Sequence, residues 1–296
     1  MTTAIDLYRQ ANPLQTLRLA SGKAFSYRLF RNEASSETLV LLTGGIGLSD
    51  LFYLHFERFS RSFSVMTFDY QEDFATLAGL ADAAAEALRH EGVRGWLVGQ
   101  SLGGIVAEAL AVRHPDVVTG LVLSNTCAIT RDMAPEARAY LERMLASQQR
   151  FGTLLKVLPF GLIKRLMART VRAKLKGHLS EREQGLMDTL TDEMQRSLTR
   201  PYELHMARLL CDAPNLGELV PEQFARWDGR VLLILSEDDD TFSPACKQAL
   251  IELMGNPRVV TDLTGGHLAL LVRLEEYATT VEGFVRECCT SRAGEA

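Results

Sequence analysis

The stretch WLVGQSLGGIVAEAL at residues 96–110 restricts the fold more than any other part of the chain. An apolar run of strand composition ends at Gly99, and a small-residue helical pattern starts at Leu102. The backbone must therefore reverse within Gly99-Gln100-Ser101-Leu102-Gly103-Gly104. A strand that becomes a helix over so few residues forces the residue at the turn into strained geometry. Glycines two positions to either side keep the neighbouring segments from colliding. The serine oxygen then projects outward, and the first amides of the new helix point toward it. Those amides and the helix dipole suit a developing negative charge. The spacing is G-x-S-x-G in the context that motif needs, with a strand before and a helix after.

The rest of the chain repeats this rhythm. LQTLRLA, AFSYRLF and the fully apolar TLVLL read as strands within the first 42 residues, and a TGGIG loop follows. DLFYLHFERFS has helical spacing, SFSVMTF reads as a strand, and a helix is expected from about Asp73 to His90. After the strand GWLVG and the Ser101 helix, which Pro115 stops near His114, GLVLSN is the sixth strand. Strands alternating with helices of this length predict a parallel sheet whose strands are covered on both faces. From about Ala128 to Ala225 only amphipathic helical patterns are found. The rhythm resumes with GRVLLILS, a helix near Pro244–Met254, the strand RVVTDL and a closing helix from about Leu268. The expected organisation is an α/β core at 1–127 and 226–296, interrupted by a helical insertion at 128–225.

Composition excludes several function classes. A net charge of −5 is the wrong sign for non-specific nucleic-acid binding. No apolar window reaches the ~18 residues of a membrane span, and the start carries no basic-then-apolar leader. The 5 cysteines are odd in number and lack a C-x-x-C pair, which predicts free thiols and a cytoplasmic setting. Gly45-Ile46-Gly47 follows a strand, but Asp50 occupies the third glycine position of G-x-G-x-x-G, so a dinucleotide loop is not expected. No P-loop lysine and no metal-ligand spacing is present, so neither cofactor nor metal is implied.

A serine hydroxyl is a weak nucleophile and needs a histidine base held by an acid. Of the 6 histidines, His267 alone stands in a glycine-preceded loop between a strand and a helix, at the sheet edge that also carries Ser101. His55, His90, His114, His178 and His205 fall in or at the ends of predicted helices, where packing or surface roles are expected. Asp238, Asp239 and Asp240 directly follow the strand VLLIL, and any of the three could face His267.

The combination of Gly99-Gln100-Ser101-Leu102-Gly103, an acid after VLLIL and Gly265-Gly266-His267 resembles the α/β-hydrolase superfamily over about residues 15–290. The order Ser, Asp, His is the order of that superfamily. The resemblance implies a mostly parallel eight-strand-type sheet with a helical cap. It also implies an acid three residues after a small residue that ends the strand. Counting from Ser236 gives Asp239, with Asp240 as the second choice because of Pro244. It implies oxyanion donors at the amides of Leu102 and Gly45. Thr43 stands where relatives carry histidine, and DYQEDF replaces their usual Asp-x-Arg-Gly-x-Gly, so one wall of the site departs from the pattern.

With serine rather than aspartate in the elbow, the resemblance implies a serine hydrolase acting on a carboxylic ester, thioester or lactone, and no cofactor. Carbon–carbon bond hydrolysis, acyl transfer, lyase or cyclase use of the same residues, and a non-catalytic small-molecule binder are the alternatives. LVLSNT at 121–126 resembles the corresponding stretch of enol-lactone hydrolases. From Arg150 to Lys176 there are eight basic residues and no acidic one, interleaved with leucine and isoleucine. The expectation is a solvated basic face, with an apolar or anionic substrate, or contact with an acidic membrane, as the sharper reading.

Overall fold

Strands β3 (Thr38–Leu42), β4 (Ser64–Thr67), β5 (Gly95–Gln100), β6 (Val118–Ser124) and β7 (Val231–Ile234) are buried along their whole length. Such runs need cover on both faces, which helices on crossover connections supply. The computed structural model describes residues 2–175 and 181–295. It adds β1 (Gln15–Arg18), β2 (Ala24–Phe30) and the edge strand β8 (Arg258–Val260), giving one eight-stranded sheet in the order β1-β2-β4-β3-β5-β6-β7-β8. β1 pairs antiparallel with β2, and β2 with β4; the remaining neighbours are parallel.

The helices in chain order are α1 (Ala4–Ala11), α2 (Tyr53–Phe59), α3 (Leu77–His90), α4 (Leu102–Arg113), α5 (Pro135–Val157), α6 (Phe160–Leu175), α7 (Glu181–Ser197), α8 (Arg200–Cys211), α9 (Pro244–Leu253), α10 (Ala269–Val272) and α11 (Leu274–Glu295). Two apolar clusters fill the space on the two faces of the sheet. One gathers α3 and α4 against Val40, Leu97 and Leu121; the other gathers α2 and α11 against Leu39, Val98 and Val122.

Several boundaries differ from the sequence reading. The chain opens with α1 rather than a strand: Thr3 caps the helix, Asp6 returns a bond to the Thr3 amide, and Ile5 and Tyr8 are buried. The helix expected from Asp73 starts at Leu77, because the Thr76 hydroxyl caps the Gly79 amide. The closing helix expected from Leu268 is split, with a single-turn α10 before α11.

Between β6 and β7 lie α5, α6, α7 and α8, where the helical insertion was expected. A parallel bridge between Thr130 and Leu219 closes the base of this block. α8 ties it to the core: the Asp212 carboxylate after α8 accepts from the Leu77 amide at the start of α3, at 2.8 Å. His178 and Lys176 lie outside the described residues.

Candidate active site

β5 runs straight into α4, and Ser101 at the junction has φ 53° and ψ −119°. This conformation is costly for a residue with a Cβ, of order 1–3 kcal/mol, and persists only when the surroundings impose it. The surroundings here are close-packed backbone. A Cβ on Gly103 would lie 2.1 Å from the Leu42 carbonyl oxygen, so α4 can approach β3 only because that position is glycine. The Ser101 amide donates to the Ser124 carbonyl and the Thr126 hydroxyl donates to the Ser101 carbonyl, which pins the turn from β6.

The histidine arrives from the other end of the sheet. After β8, Gly265 and Gly266 both take positive φ (130° and 63°), which turns the chain into the short helical turn that carries His267. The His267 ring packs at 5.7 Å from that of Phe242, and its Nδ1 lies 3.2 Å from Asp239 Oδ2.

Of the three aspartates after β7, Asp239 alone is buried, at 4% exposure; Asp238 and Asp240 face solvent. Asp238 instead accepts from the Gly265 amide at 2.8 Å, and so holds the histidine loop from outside. Burial alone would raise the Asp239 carboxyl. The hydrogen bond and charge of His267, with the Thr241 amide at 2.8 Å, outweigh burial and hold it below the ordinary aspartate value. An ionised Asp239 can only accept, so Nδ1 of His267 carries the proton. In a neutral ring Nε2 is then the acceptor; Gln100 Nε2 lies 3.3 Å from it and also donates to the His267 carbonyl at 3.1 Å.

Ser101, His267, Leu102 and Gly45 border one cavity of about 310 Å³. Among the described residues, the amides of Gly45 and Leu102 have no backbone acceptor. Among the described residues, no hydrogen bond joins the Ser101 hydroxyl to the His267 ring. Bonds of this kind commonly close only when substrate is seated.

The wall that departs from the expected pattern is built by other means. Among the described residues, the Thr43 hydroxyl, at the position where the resemblance implies histidine, is buried without a partner. The loop is held instead by Tyr70 Oη on the Thr43 carbonyl at 2.5 Å and by the Tyr70 amide on Gly47. Asp69 accepts from both the amide and the hydroxyl of Ser49. His205 from α8 reaches the Tyr70 carbonyl at 3.0 Å. The segment DYQEDF thus fastens the Gly45 loop to the helical block. His55 is buried on the Leu270 carbonyl, His114 contacts Asp82, and His90 is exposed, so none of these joins the site.

Two positioning residues escape sequence reasoning. Asn125, with φ 40°, donates to Ser236 Oγ and to the Gly266 carbonyl, and accepts from the Ser236 amide. One side chain thereby joins the ends of β6 and β7 to the histidine loop. Asparagine tolerates the left-handed region better than most residues, which is the only local hint. Lys247 on α9 donates to the carbonyls of Ser236 and Asp239 and staples the acid loop. Nothing in its sequence neighbourhood marks it.

A second cavity, of about 560 Å³, lies under α5, α6 and α8 and shares Gly45, Ile46, Gln148 and Leu210 with the first. Among the described residues, none of the basic side chains between Arg150 and Lys176 borders either cavity; Arg150, Lys156, Arg165, Arg169 and Arg172 are exposed. The cavity's one ionisable side chain, among the described residues, is Glu203.

No curated protein matches the chain in sequence. Solved structures do match it in fold. A hydrolase from Pseudomonas aeruginosa superposes with a TM-score of 0.69 at 20% identity, over 93% of this chain and 99% of that one. The enol-lactonase from Burkholderia xenovorans gives 0.68 at 17% identity, over 92% and 100%. The 2-hydroxy-6-oxo-6-phenylhexa-2,4-dienoate hydrolase from a Rhodococcus species gives 0.67 at 17%, over 93% and 99%. The model of the alpha/beta hydrolase family matches residues 39–280, from β3 into α11. That span holds the elbow, the acid loop and the histidine loop, and the chain belongs to the alpha/beta hydrolase family.

Proposed function

We propose that Ser101, His267 and Asp239 act as a catalytic triad that hydrolyses a carboxylic ester, thioester or lactone through an acyl-enzyme, with residues 128–225 as a cap over the site. The observation that carries this reading is the convergence on one cavity of a strained serine at a helix start and a histidine whose far nitrogen faces a buried, ionised aspartate. As the Ser101 oxygen attacks the carbonyl, its proton passes to the bare Nε2 of His267. The imidazolium that forms is stabilised by Asp239 through Nδ1. The amides of Leu102 and Gly45 receive the oxyanion, each such donor being worth about 10²–10³ in rate. As the tetrahedral intermediate collapses, His267 gives that proton to the leaving oxygen or sulfur, which departs and leaves the acyl group on Ser101. The neutral ring then takes a proton from water, which attacks the acyl-enzyme and releases the acid as the proton returns to Ser101.

The test is intact mass after treatment with a fluorophosphonate, on wild type and on Ser101→Ala. A single adduct on the wild type, absent from the variant, supports the reading. No adduct on folded wild type moves the weight to a non-catalytic binder. The same residues serve carbon–carbon bond hydrolysis or transfer to an acceptor other than water. Product analysis of a turned-over ester, with and without added alcohol, separates transfer from hydrolysis.

A further inference from the structure

Glu203 sits on the first turns of α8, is 4% exposed, and borders the 560 Å³ cavity otherwise walled by side chains such as Phe151, Ile163, Met167 and Met206. Among the described residues, its carboxyl forms no hydrogen bond and no ion pair. A buried polar group left without a partner is destabilising, and more so when charged. Cations of the same helical block are engaged on backbone carbonyls. Arg200, on the same helix, donates to the carbonyls of Leu155, Lys156 and Leu158 at the end of α5. Lys164 donates to the Leu198 carbonyl. Glu108 in α4 is also buried with an unpartnered oxygen, but it borders neither cavity. Among the described residues, Glu203 is therefore an unpartnered acid that borders space a ligand can enter.

We propose that Glu203 recognises a hydrogen-bond donor, an ammonium or a hydroxyl, on the apolar limb of the substrate. The substrate class is then an ester or lactone whose hydrocarbon portion carries an amine or hydroxyl remote from the reacting carbonyl. With the carbonyl at Ser101, that limb passes Gly45, Ile46, Gln148 and Leu210, which border both cavities, and ends at Glu203. This deepens the hydrolase reading and rests on it. It also reverses the sign expected from the basic segment: the cavity selects for a donor or cation and against an anion. Burial pushes the Glu203 carboxyl up to about 7, so an entering ammonium draws out its charge near neutral pH and supplies the missing partner.

The test uses full-length Ser101→Ala protein in calorimetric titrations with hexylammonium, hexanol and hexanoate, repeated with Glu203→Gln added. The expected order is ammonium, then hydroxyl, then carboxylate, with about tenfold or more between first and last, as a charge-assisted bond to a desolvated acid provides. Glu203→Gln is expected to collapse that difference to about twofold, as the charge is lost. In turnover, the ratio of kcat/KM for an ω-aminohexanoate ester over the hexanoate ester falls about tenfold in Glu203→Gln. A thermal melt shows that each variant is folded. Equal affinities, a preference for the carboxylate, no binding by any of the three, or a preference untouched by Glu203→Gln overturns the inference. If a fluorophosphonate adduct forms while the ligand series ignores Glu203, this inference fails and the hydrolase reading stands. If the series depends on Glu203 but no adduct forms, the binding site stands and the hydrolase reading fails.

Discussion

Asp239 at the edge of the sheet and Glu203 in the helical block are residues of equal exposure, 4% each, yet the chemistry of their carboxyls runs in opposite directions. Asp239 has its partners within the fold, His267 and the Thr241 amide, and is held ionised. Glu203 has none among the described residues, and burial drives it up to about 7. Desolvation works against the charge at both sites; what differs is whether the backbone and a neighbouring ring are preorganised to compensate it. Helix α4, the acid loop and the histidine loop are joined to one another by strand ends and by Asn125. The helical block is joined to the core around α8 by Asp212 and His205, and also by Arg9 on Glu193 of α7 and by Tyr140 of α5 on the Thr241 carbonyl. On the proposed reading, the sheet edge supplies the chemistry and the helical block the selection.

That division can be broken by experiment. Ser101→Ala should lower kcat/KM by about 10⁴–10⁶ while the thermal midpoint holds, because the side chain acts only in the reaction. Asp239→Asn should cost about 10⁴ in kcat by imposing the wrong histidine tautomer, whereas Asp240→Asn should stay within about twofold. The reverse result would move the acid to Asp240 and undo the assignment of the sheet edge. Asn125→Ala strands the Ser236 amide and the Gly266 carbonyl; it should cost about 2–3 kcal/mol in denaturant unfolding and lower kcat more than it raises KM.

The smallest effect is one of slope. Glu203 has a folded value above its unfolded one, so the folded state binds more protons between about pH 4.5 and pH 7 and its stability falls as pH rises through that window. Relative to wild type, Glu203→Gln should gain about 1–3 kcal/mol on going from about pH 5 to about pH 8. Asp239, held below its unfolded value, behaves oppositely. Its contribution is present above about pH 4 and is lost on acidification below that, so Asp239→Asn should flatten the acid limb. Unfolding at a series of pH values measures both. Parallel slopes in the two variants would show that the two carboxyls are not distinct in kind.

Much of the core was legible before any coordinates because its signals are local. TLVLL, WLVG and VLLIL carry continuous apolar runs, and the turn between Gly99 and Gly103 admits few other uses. His267 was legible by elimination among histidines and from the two glycines before it, both of which do adopt positive φ. The first helix was missed although its capping pair, Thr3 and Asp6, stands in the sequence; a short capped segment with two buried residues is a weak periodic signal. The basic segment of α5 and α6 was legible as charge but not as direction. Its exposed cations face away from both cavities, and the residue that gives the larger cavity its sign lies on a different helix.

Sequence by itself determined the alternation of strands and helices in the core, the strand-to-helix turn that carries Ser101, and three neighbouring aspartates after β7 from which the proposed acid is drawn. Each follows from patterns confined to a few residues, such as alternation, turn chemistry and the exclusion of a Cβ. Only the tertiary structure decided that Asp239 is the buried member of the three. It also decided that Asn125 and Lys247 hold the loops around it, and that Glu203 faces a cavity without a partner. Burial and partnership depend on what distant segments bring to the same place. Carboxyls that read alike along the chain are separated only when packing supplies a hydrogen-bond donor to one and withholds it from the other.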